Sequence, residues 1–341
     1  MNKEALFYKK LANDTVQCLL CPWDCQLTVG KVGNCGVRQN IDGNLYSLIY
    51  GKISSIAADP IEKKPLFHFY PGSKVLSLGT YGCNLPCGHC QNWQIAHVNY
   101  GLGSCVLSPE SIAPDKLVET VKKAGCQGIA WTYNEPTIWF EYALEGAKLA
   151  KEAGLYTVFV TNGYINPEPL DMIGPYLDAY SVDVKGFSNE FYSKVAKIKD
   201  FQPILRATER AKQKWNMHVE VTTLIIPTLN DDEKQLKGIA TWMVEKLGAE
   251  TPWHISRFMP CLDYKHLSPT PVETLEKARQ IGLDVGLEYV YIGNVPGHQA
   301  ENTYCHKCKN LLIERVGYQT IIKGLVEIKC QVCGQTIKIR V

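Results

Sequence analysis

Short β-rich runs alternate with amphipathic stretches between about residues 74 and 295, and no other feature restricts the possible folds as strongly. The runs are continuously apolar, which is typical of strands buried on both faces of a sheet. Such strands, separated by helices, predict an α/β fold with a parallel sheet covered by helices. Six or seven units fit a partial or full βα barrel of the TIM-like kind better than a small open sheet. The predicted strands are 75–78, 129–131, 156–160, 180–184, 219–226, 254–258 and 289–292.

Helix start and stop signals lie between these strands. A Ser-Pro-Glu sequence at 108–110 begins one region, and Gly125 and Gly154 follow the first two regions as stop signals. The predicted helical regions are 108–124, 136–153, 230–247 and 271–281.

The cysteine pattern divides the chain into three parts. Residues 1–73 form a predicted Cys-rich metal-binding region, residues 74–295 the predicted barrel, and residues 296–341 a predicted zinc-ribbon-like module. The two outer parts are expected to be appendages of the barrel.

Charge and hydropathy exclude several classes of function. The 36 Lys and Arg residues exceed the 34 Asp and Glu residues by two, so no bulk charge indicates a nucleic-acid or membrane partner. No run of about 18 apolar residues predicts a membrane span. The first residues lack the apolar part of a secretory signal, so we expect a cytoplasmic protein.

Fourteen cysteines are many for such a chain, and most of them are clustered. Disulfides are one interpretation, but in a reducing compartment such clusters more often bind metal. Cys105, Cys126 and Cys261 stand alone, and we expect them to be packed as small apolar side chains.

The central cluster, Cys83, Cys87 and Cys90, has C-x3-C-x2-C spacing and follows the first predicted strand of the barrel. Three thiolates can hold three corners of a cubane iron–sulfur cluster and leave one iron without a protein ligand. An iron of this kind can chelate a small molecule. Active sites of barrels and open α/β sheets lie at the C-terminal ends of the strands, where this loop is expected.

This triplet resembles the cluster ligands of the radical S-adenosylmethionine (SAM) superfamily. Further motifs lie at both ends of the chain, among them Cys18–Cys25 and Cys35–Arg38. With them the chain resembles the activating-enzyme branch of the superfamily, and most closely the AmmeMemoRadiSam system radical SAM enzymes. The resemblance implies an oxygen-sensitive [4Fe-4S] cluster that cleaves SAM to methionine and a 5′-deoxyadenosyl radical, which abstracts hydrogen from a substrate. The motifs that carry it lie at residues 18–25, 35–38, 60–68, 90–93 and 302–305.

The resemblance also implies residues that contact SAM. His89 stands where the family has an aromatic residue on the adenine. Asn134 and Glu135 lie in a turn that contacts the amino group in the family; here the two glycines of that turn are missing. A plain turn before Pro136 at a helix start is the structural alternative.

Further positions follow the later strands. Thr161 and Asn162 could bond ribose or form an ordinary loop. Asp183 and Lys185 match an Asp-x-Lys pattern whose lysine pairs with the SAM carboxylate, although a structural ion pair also explains them. His254 corresponds to a family position near SAM, or is a core histidine. Arg257 and Asn294 are further candidates for the same site, on the basis of their position alone.

The outer cysteines offer two sets of four thiolates. Cys305, Cys308, Cys330 and Cys333 form two C-x2-C turns, which predict a zinc ribbon, while a rubredoxin-like iron would share the ligands. Cys18, Cys21, Cys25 and Cys35 suit zinc and an auxiliary four-iron cluster equally, and we favour zinc slightly.

Three functions compete. The first is a radical SAM enzyme with an unknown small-molecule or protein substrate, a flavodoxin or ferredoxin type electron donor, and Memo-like and AMMECR-type partners that family context suggests. The second is a glycyl-radical-enzyme activase. The third is a non-catalytic zinc-ribbon binding protein. A ribbon that binds nucleic acid should carry a basic stripe, whereas this ribbon region mixes lysines with Glu314 and Glu327.

Overall fold

An eight-stranded sheet forms the centre of the computed structural model, which describes residues 2–98 and 110–341. Seven of its strands are parallel in the order β16-β15-β14-β13-β12-β11-β9, and β8 pairs antiparallel with β9. The strands are β8 (Ser55–Pro60), β9 (Lys74–Gly79), β11 (Gly128–Trp131), β12 (Tyr156–Thr161), β13 (Ala179–Asp183), β14 (His218–Ile225), β15 (Trp253–Arg257) and β16 (Val290–Gly293).

These findings confirm the predicted parallel α/β sheet and its seven predicted strands. β8 was not predicted, because its alternating exposure is that of an edge strand without a continuous apolar run. Within the described ranges the end strands β8 and β16 do not pair with each other. The hydrogen-bond ladder is therefore open, and the full form of the predicted barrel is not formed by these residues.

Helices cover the sheet, and most begin where the sequence supplies a cap or proline. The helices are α1 (Trp93–Ala96), α2 (Pro114–Lys123), α3 (Phe140–Glu152), α4 (Pro167–Ile173), α5 (Asn189–Val195), α6 (Gln202–Gln213), α7 (Glu233–Trp242) and α8 (Val272–Val285). Asp232 caps α7 by accepting a hydrogen bond from Gln235 N at 3.0 Å. The predicted start at 108–109 lies outside the described residues, and Glu110–Ser111 form a short strand, β10, instead of helix.

Small antiparallel sheets make up the two ends of the chain. The N-terminal strands are β1 (Lys3–Glu4), β2 (Tyr8–Lys10), β3 (Val16–Cys18), β4 (Gln26–Leu27), β5 (Arg38–Ile41), β6 (Asn44–Ser47) and β7 (Lys52–Ile53), the last paired with β10. The C-terminal strands are β17 (Thr303–Tyr304), β18 (Leu311–Val316), β19 (Gln319–Ile322), β20 (Leu325–Val326) and β21 (Lys329–Cys330). The division at residues 73 and 295 stays a prediction, and β8 lies before residue 74 although it belongs to the main sheet. None of the helices among the described residues has the length and apolarity of a membrane span.

A buried carboxylate on β14 joins the sheet to the segment that precedes β9. Glu220 accepts backbone hydrogen bonds from Phe67 N at 3.0 Å and His68 N at 2.7 Å. It also pairs with His218 Nε2 at 2.8 Å and His254 Nε2 at 2.7 Å. Burial alone would raise the pKa of Glu220, but these two histidines hold it well below its usual range. The carboxylate is therefore charged, and both of its oxygens are occupied by hydrogen bonds inside the fold.

The same segment binds the C-terminal module. Arg315 donates to the carbonyl of Phe67 at 2.9 Å, and Arg340 N donates to the carbonyl of His68 at 2.9 Å. Residues 66–70 therefore lie between the main sheet and the C-terminal strands, with hydrogen bonds to both.

Glu220→Ala should lower the free energy of unfolding at pH 7 by about 3 kcal/mol or more, because two buried N–H groups lose their acceptor. The matched control is Glu276→Ala, which removes a pair with His298 at 3.4 Å whose carboxylate side chain is 58% exposed. That change should cost less than about 1 kcal/mol. Urea denaturation measures both, and equal losses would contradict the role given to Glu220.

Candidate active site

A cavity of about 460 Å³ opens at the C-terminal ends of β9, β11, β12 and β13. It brings together most of the site residues predicted from the sequence. Those on its wall are Cys83, Cys87, His89, Cys90, Asn134, Thr161, Asn162, Asp183 and Lys185. Asn294, suggested by its position alone, also lines it, whereas Glu135, His254 and Arg257 do not.

The cysteine loop is held by its backbone. Asn134 accepts a hydrogen bond from Thr80 N at 3.2 Å and donates to the carbonyl of Gly82 at 2.7 Å. Gly82 has φ +89°, and a Cβ there would lie 2.6 Å from the carbonyl oxygen of Cys35. A glycine is therefore required at this close approach between the N-terminal region and the loop.

The three thiols of the loop face the cavity in a partly buried setting. Burial raises the pKa of Cys83 well above its usual value, and it raises that of Cys87 to about 11 although Lys185 acts in the opposite direction. Leu85 N and Asn162 Nδ2 lie 3.4 Å and 3.7 Å from Cys83 Sγ, where they can stabilise a thiolate. Metal binding here would displace protons from the thiols.

The spacing of these thiols suits a cluster better than a single ion. In the described parts of the chain, the sulfurs of the C-terminal cysteines all lie within 4.8 Å of one another. The sulfurs of Cys83, Cys87 and Cys90 do not form such a group. Four thiolates on one zinc ion lie about 3.8 Å apart, given tetrahedral geometry and a Zn–S distance of about 2.3 Å. A cubane holds each thiolate on a different iron, so its ligands lie farther apart. The three loop thiols are therefore spaced too widely for one tetrahedral ion, and such spacing is compatible with a cubane.

Asp183 and Lys185 form the predicted ion pair, and the pair lies on the cavity wall. Lys185 Nζ is 2.8 Å from Asp183 Oδ2. Burial alone would lower the pKa of Lys185, but Asp183 raises it above its usual range. Lys185 is thus a positive charge available to an anionic group in the cavity.

Glu135 is buried behind the wall. Its carboxylate accepts hydrogen bonds from Thr137 N at 2.9 Å, Thr161 Oγ1 at 2.7 Å and Asn162 N at 2.8 Å. The first of these caps the short helical turn Pro136–Trp139, as the structural alternative predicted. Because these bonds occupy Glu135, the expected direct contact with a cofactor finds no support in this geometry.

His254 also lies away from the cavity. Its Nε2 bonds Glu220, and its ring stacks on Tyr291 with a centroid distance of 5.2 Å. It is therefore a core histidine on β15. Ser256, two residues later on the same strand, reaches the cavity wall and accepts a hydrogen bond from Asn294 Nδ2 at 2.8 Å. Arg257 donates instead to the carbonyl of Thr270 at 2.8 Å.

His89 gives the cavity wall a neutral ring. It is 5% exposed, and its Nδ1 has no hydrogen-bond partner within the described parts of the chain. Burial, followed by the nearby charge of Lys185, lowers the pKa of His89 to about 3. An uncharged imidazole with a free nitrogen can stack on a flat ring and can also form a hydrogen bond with it.

Sequence reasoning missed further polar residues of the cavity wall. Lys63 and Lys64 line the cavity and share Asp59 at 2.9 Å and 2.8 Å. Tyr133, which has φ +71° and also lines the cavity, donates its hydroxyl to Asp59 at 2.8 Å. Two successive lysines beside a proline were the available signal, but local pattern could not place them at the cavity.

The remaining cysteines divide into grouped and single thiols. Cys305 and Cys333, and likewise Cys308 and Cys330, have sulfurs 3.6 Å apart, close to the spacing on one tetrahedral ion. The C-terminal four-thiol group is thus confirmed. Cys126 is buried, Cys261 donates to the carbonyl of Cys90 at 3.2 Å, and Cys105 lies outside the described residues.

Comparisons with known proteins agree with this geometry. Residues 77–237 match the family model of the radical SAM superfamily. The chain is 45% identical to the uncharacterised protein MJ0808 of Methanocaldococcus jannaschii over 99% of both chains. It is 26% identical to the pyruvate formate-lyase-activating enzyme of Clostridium pasteurianum over 60% of this chain and 85% of that one. A radical SAM methyltransferase from Sphaerobacter thermophilus shares the fold, with a TM-score of 0.51 at 14% identity over 71% of each chain.

Gly82→Ala should reduce the metal bound by the cysteine loop, because the new Cβ forces the loop away from Cys35. Gly125→Ala is the matched control, since Gly125 also has a positive φ, +64°, but nothing lies within 4 Å of its added Cβ. Both changes should cost about 1–2 kcal/mol of backbone strain. Metal analysis after anaerobic reconstitution should show a loss in Gly82→Ala alone; unchanged metal in both variants would contradict this account of the loop.

Proposed function

We propose that Cys83, Cys87 and Cys90 hold a [4Fe-4S] cluster beside a SAM site, because residues 77–237 form a radical SAM superfamily domain. The observation that carries the proposal is that all three thiols and Lys185 line one cavity at the strand ends. Three thiolates leave one iron for the amino and carboxylate groups of SAM. When bound, this cluster supplies the electron that cleaves SAM to methionine and a 5′-deoxyadenosyl radical, which takes hydrogen from the substrate.

The residues of the wall would bind and orient SAM. Lys185, kept charged by Asp183, faces the carboxylate, while the neutral ring of His89 packs on the adenine. Thr161 and Asn162 line the side where we place the ribose. Glu135 acts on them as a positioning residue through its hydrogen bonds to both.

Partner proteins and an electron donor belong to the proposed function. The long motifs in the two cysteine-rich ends support membership of the AmmeMemoRadiSam group, with Memo-like and AMMECR-type proteins as partners. Radical SAM enzymes require a one-electron donor, for which a flavodoxin or ferredoxin is proposed. We place the reaction in the cytoplasm, where thiols stay reduced. The open ladder of parallel strands supports a partial βα barrel.

A glycyl-radical-enzyme activase is the second candidate. It is favoured by the similarity to the Clostridium pasteurianum activating enzyme, which covers 85% of that enzyme's length. Its substrate would be a backbone glycine of a partner enzyme. A glycyl radical appearing in a partner enzyme together with 5′-deoxyadenosine would distinguish this function from action on a small molecule.

For the C-terminal thiols we propose structural zinc. Their sulfur spacing supports a single ion held by four thiolates. All four positions of a tetrahedral ion are then filled by protein, so this site takes no part in catalysis. A purely zinc-ribbon protein without catalysis would not need the cavity described above.

Anaerobically reconstituted protein, given SAM and dithionite, should form 5′-deoxyadenosine. Cys87→Ala should abolish the product and retain zinc, because it removes one ligand of the catalytic cluster alone. Cys308→Ala is the reciprocal variant, and it should lose zinc and keep the iron of the loop. Absence of 5′-deoxyadenosine from protein with an intact cluster would overturn the proposed function.

Lys185→Met should weaken SAM binding by about tenfold or more, because a charged hydrogen bond contributes about 1.5–3 kcal/mol. Lys151→Met is the control, since Lys151 pairs with Asp178 at 2.7 Å away from the cavity. Calorimetric titration of each cluster-loaded variant with SAM measures the effect. Equal affinity for SAM in the two variants would contradict the proposed contact between Lys185 and SAM.

A further inference from the structure

The N-terminal thiols surround a second cavity, separate from the one at the strand ends. Cys18, Cys21, Cys25 and Cys35 all line it, together with Arg38. We propose that these four thiols bind a second four-iron cluster, and not the zinc ion that the sequence slightly favoured. This inference rests on the spacing of the thiols and on the buried guanidinium beside them.

The three cysteine sets differ in how closely their sulfurs gather. In the C-terminal set all four sulfurs lie within 4.8 Å of one another. Although every N-terminal cysteine is described, that set forms no such group, and neither does the catalytic triplet. One tetrahedral ion requires thiolates about 3.8 Å apart, whereas a cubane separates them over four irons. In this respect the N-terminal set resembles Cys83, Cys87 and Cys90, proposed above as cluster ligands, and not the C-terminal set, for which zinc is proposed.

Arg38 supplies an independent indication that an anionic group belongs here. Its side chain is 1% exposed, and two of its nitrogens bond Glu141 at 3.3 Å and 2.5 Å. Its Nε is buried and has no hydrogen-bond partner among the described residues. A buried N–H without an acceptor is costly. A thiolate or sulfide of a metal site in this cavity would provide the missing acceptor.

The four thiols differ in how far solvent reaches them. The cavity itself is about 10 Å³, which holds about one water molecule. Cys18, Cys21 and Cys35 are buried, but Cys25 is half-buried and lies beside the exposed residues Asp24 and Gln26. The side at Cys25 is therefore the part of the site that solvent can reach.

The site lies directly against the catalytic loop. Trp23, between Cys21 and Cys25, donates its indole N–H to the carbonyl of Asn84 at 2.7 Å, next to Cys83. Gly82 approaches the carbonyl of Cys35. A cluster with four protein thiolates has no open iron, so it should exchange electrons without binding SAM. That property separates it experimentally from the catalytic cluster.

The test uses the full chain with the catalytic cluster removed. In the triple variant Cys83→Ala/Cys87→Ala/Cys90→Ala, prepared without oxygen, we expect about four irons per chain. The reduced protein should give a paramagnetic resonance spectrum that SAM does not alter. Zinc in place of iron at the N-terminal site, or a spectrum that changes with SAM, would overturn the proposal.

Adding Cys25→Ser to the triple variant assigns the iron to this site. Cys25 is the most accessible of the four thiols, and zinc retained at the C-terminal group shows that the chain is folded. The iron should fall sharply in this variant and stay in the control that adds Cys126→Ala instead. Iron that persists after Cys25→Ser would contradict the assignment. Because the catalytic thiols are absent, the result is independent of whether the wild-type protein cleaves SAM.

Discussion

Two hydrogen bonds of the Asn134 side chain, one accepted and one donated, fix the cysteine loop. The geometry of the candidate site depends on them. The side chain accepts from Thr80 N and donates to the carbonyl of Gly82, so it holds the backbone immediately before Cys83. Asn134 is in turn placed by β11, which pairs with β9 in parallel register. The position of the thiols is thus a consequence of sheet register and not of the loop alone.

The sequence predicted the parallel sheet because its strands are buried on both faces and therefore continuously apolar. It failed at β8, Ser55–Pro60, which alternates in burial and is a strand through its pairing with β9. Helices α4, α5 and α6 were also not predicted. They are short or, in α6, carry many charged residues, so apolar periodicity alone gave a weak signal.

At the site, residue type and strand-end position predicted the cavity wall well, whereas side-chain direction was not predictable. Glu135 turns inward because it caps the next helical turn and holds Thr161. His254 lies deeper than the cavity because Glu220 binds it, and Ser256 takes the position at the wall. Lys63 and Lys64 are held by Asp59 of β8, and they reach the cavity because β8 pairs with β9 in the main sheet. Such contacts between distant parts of the chain leave no local pattern.

The central claim is that one iron at the loop has no protein ligand and binds SAM. Electron–nuclear double resonance of the reduced protein with isotope-labelled SAM tests it most directly. The account predicts coupling of the cluster spin to labelled amino nitrogen and carboxylate oxygen, and loss of this coupling in Cys87→Ala. A cluster that forms on Cys83, Cys87 and Cys90 but shows no coupling to either label would contradict the account.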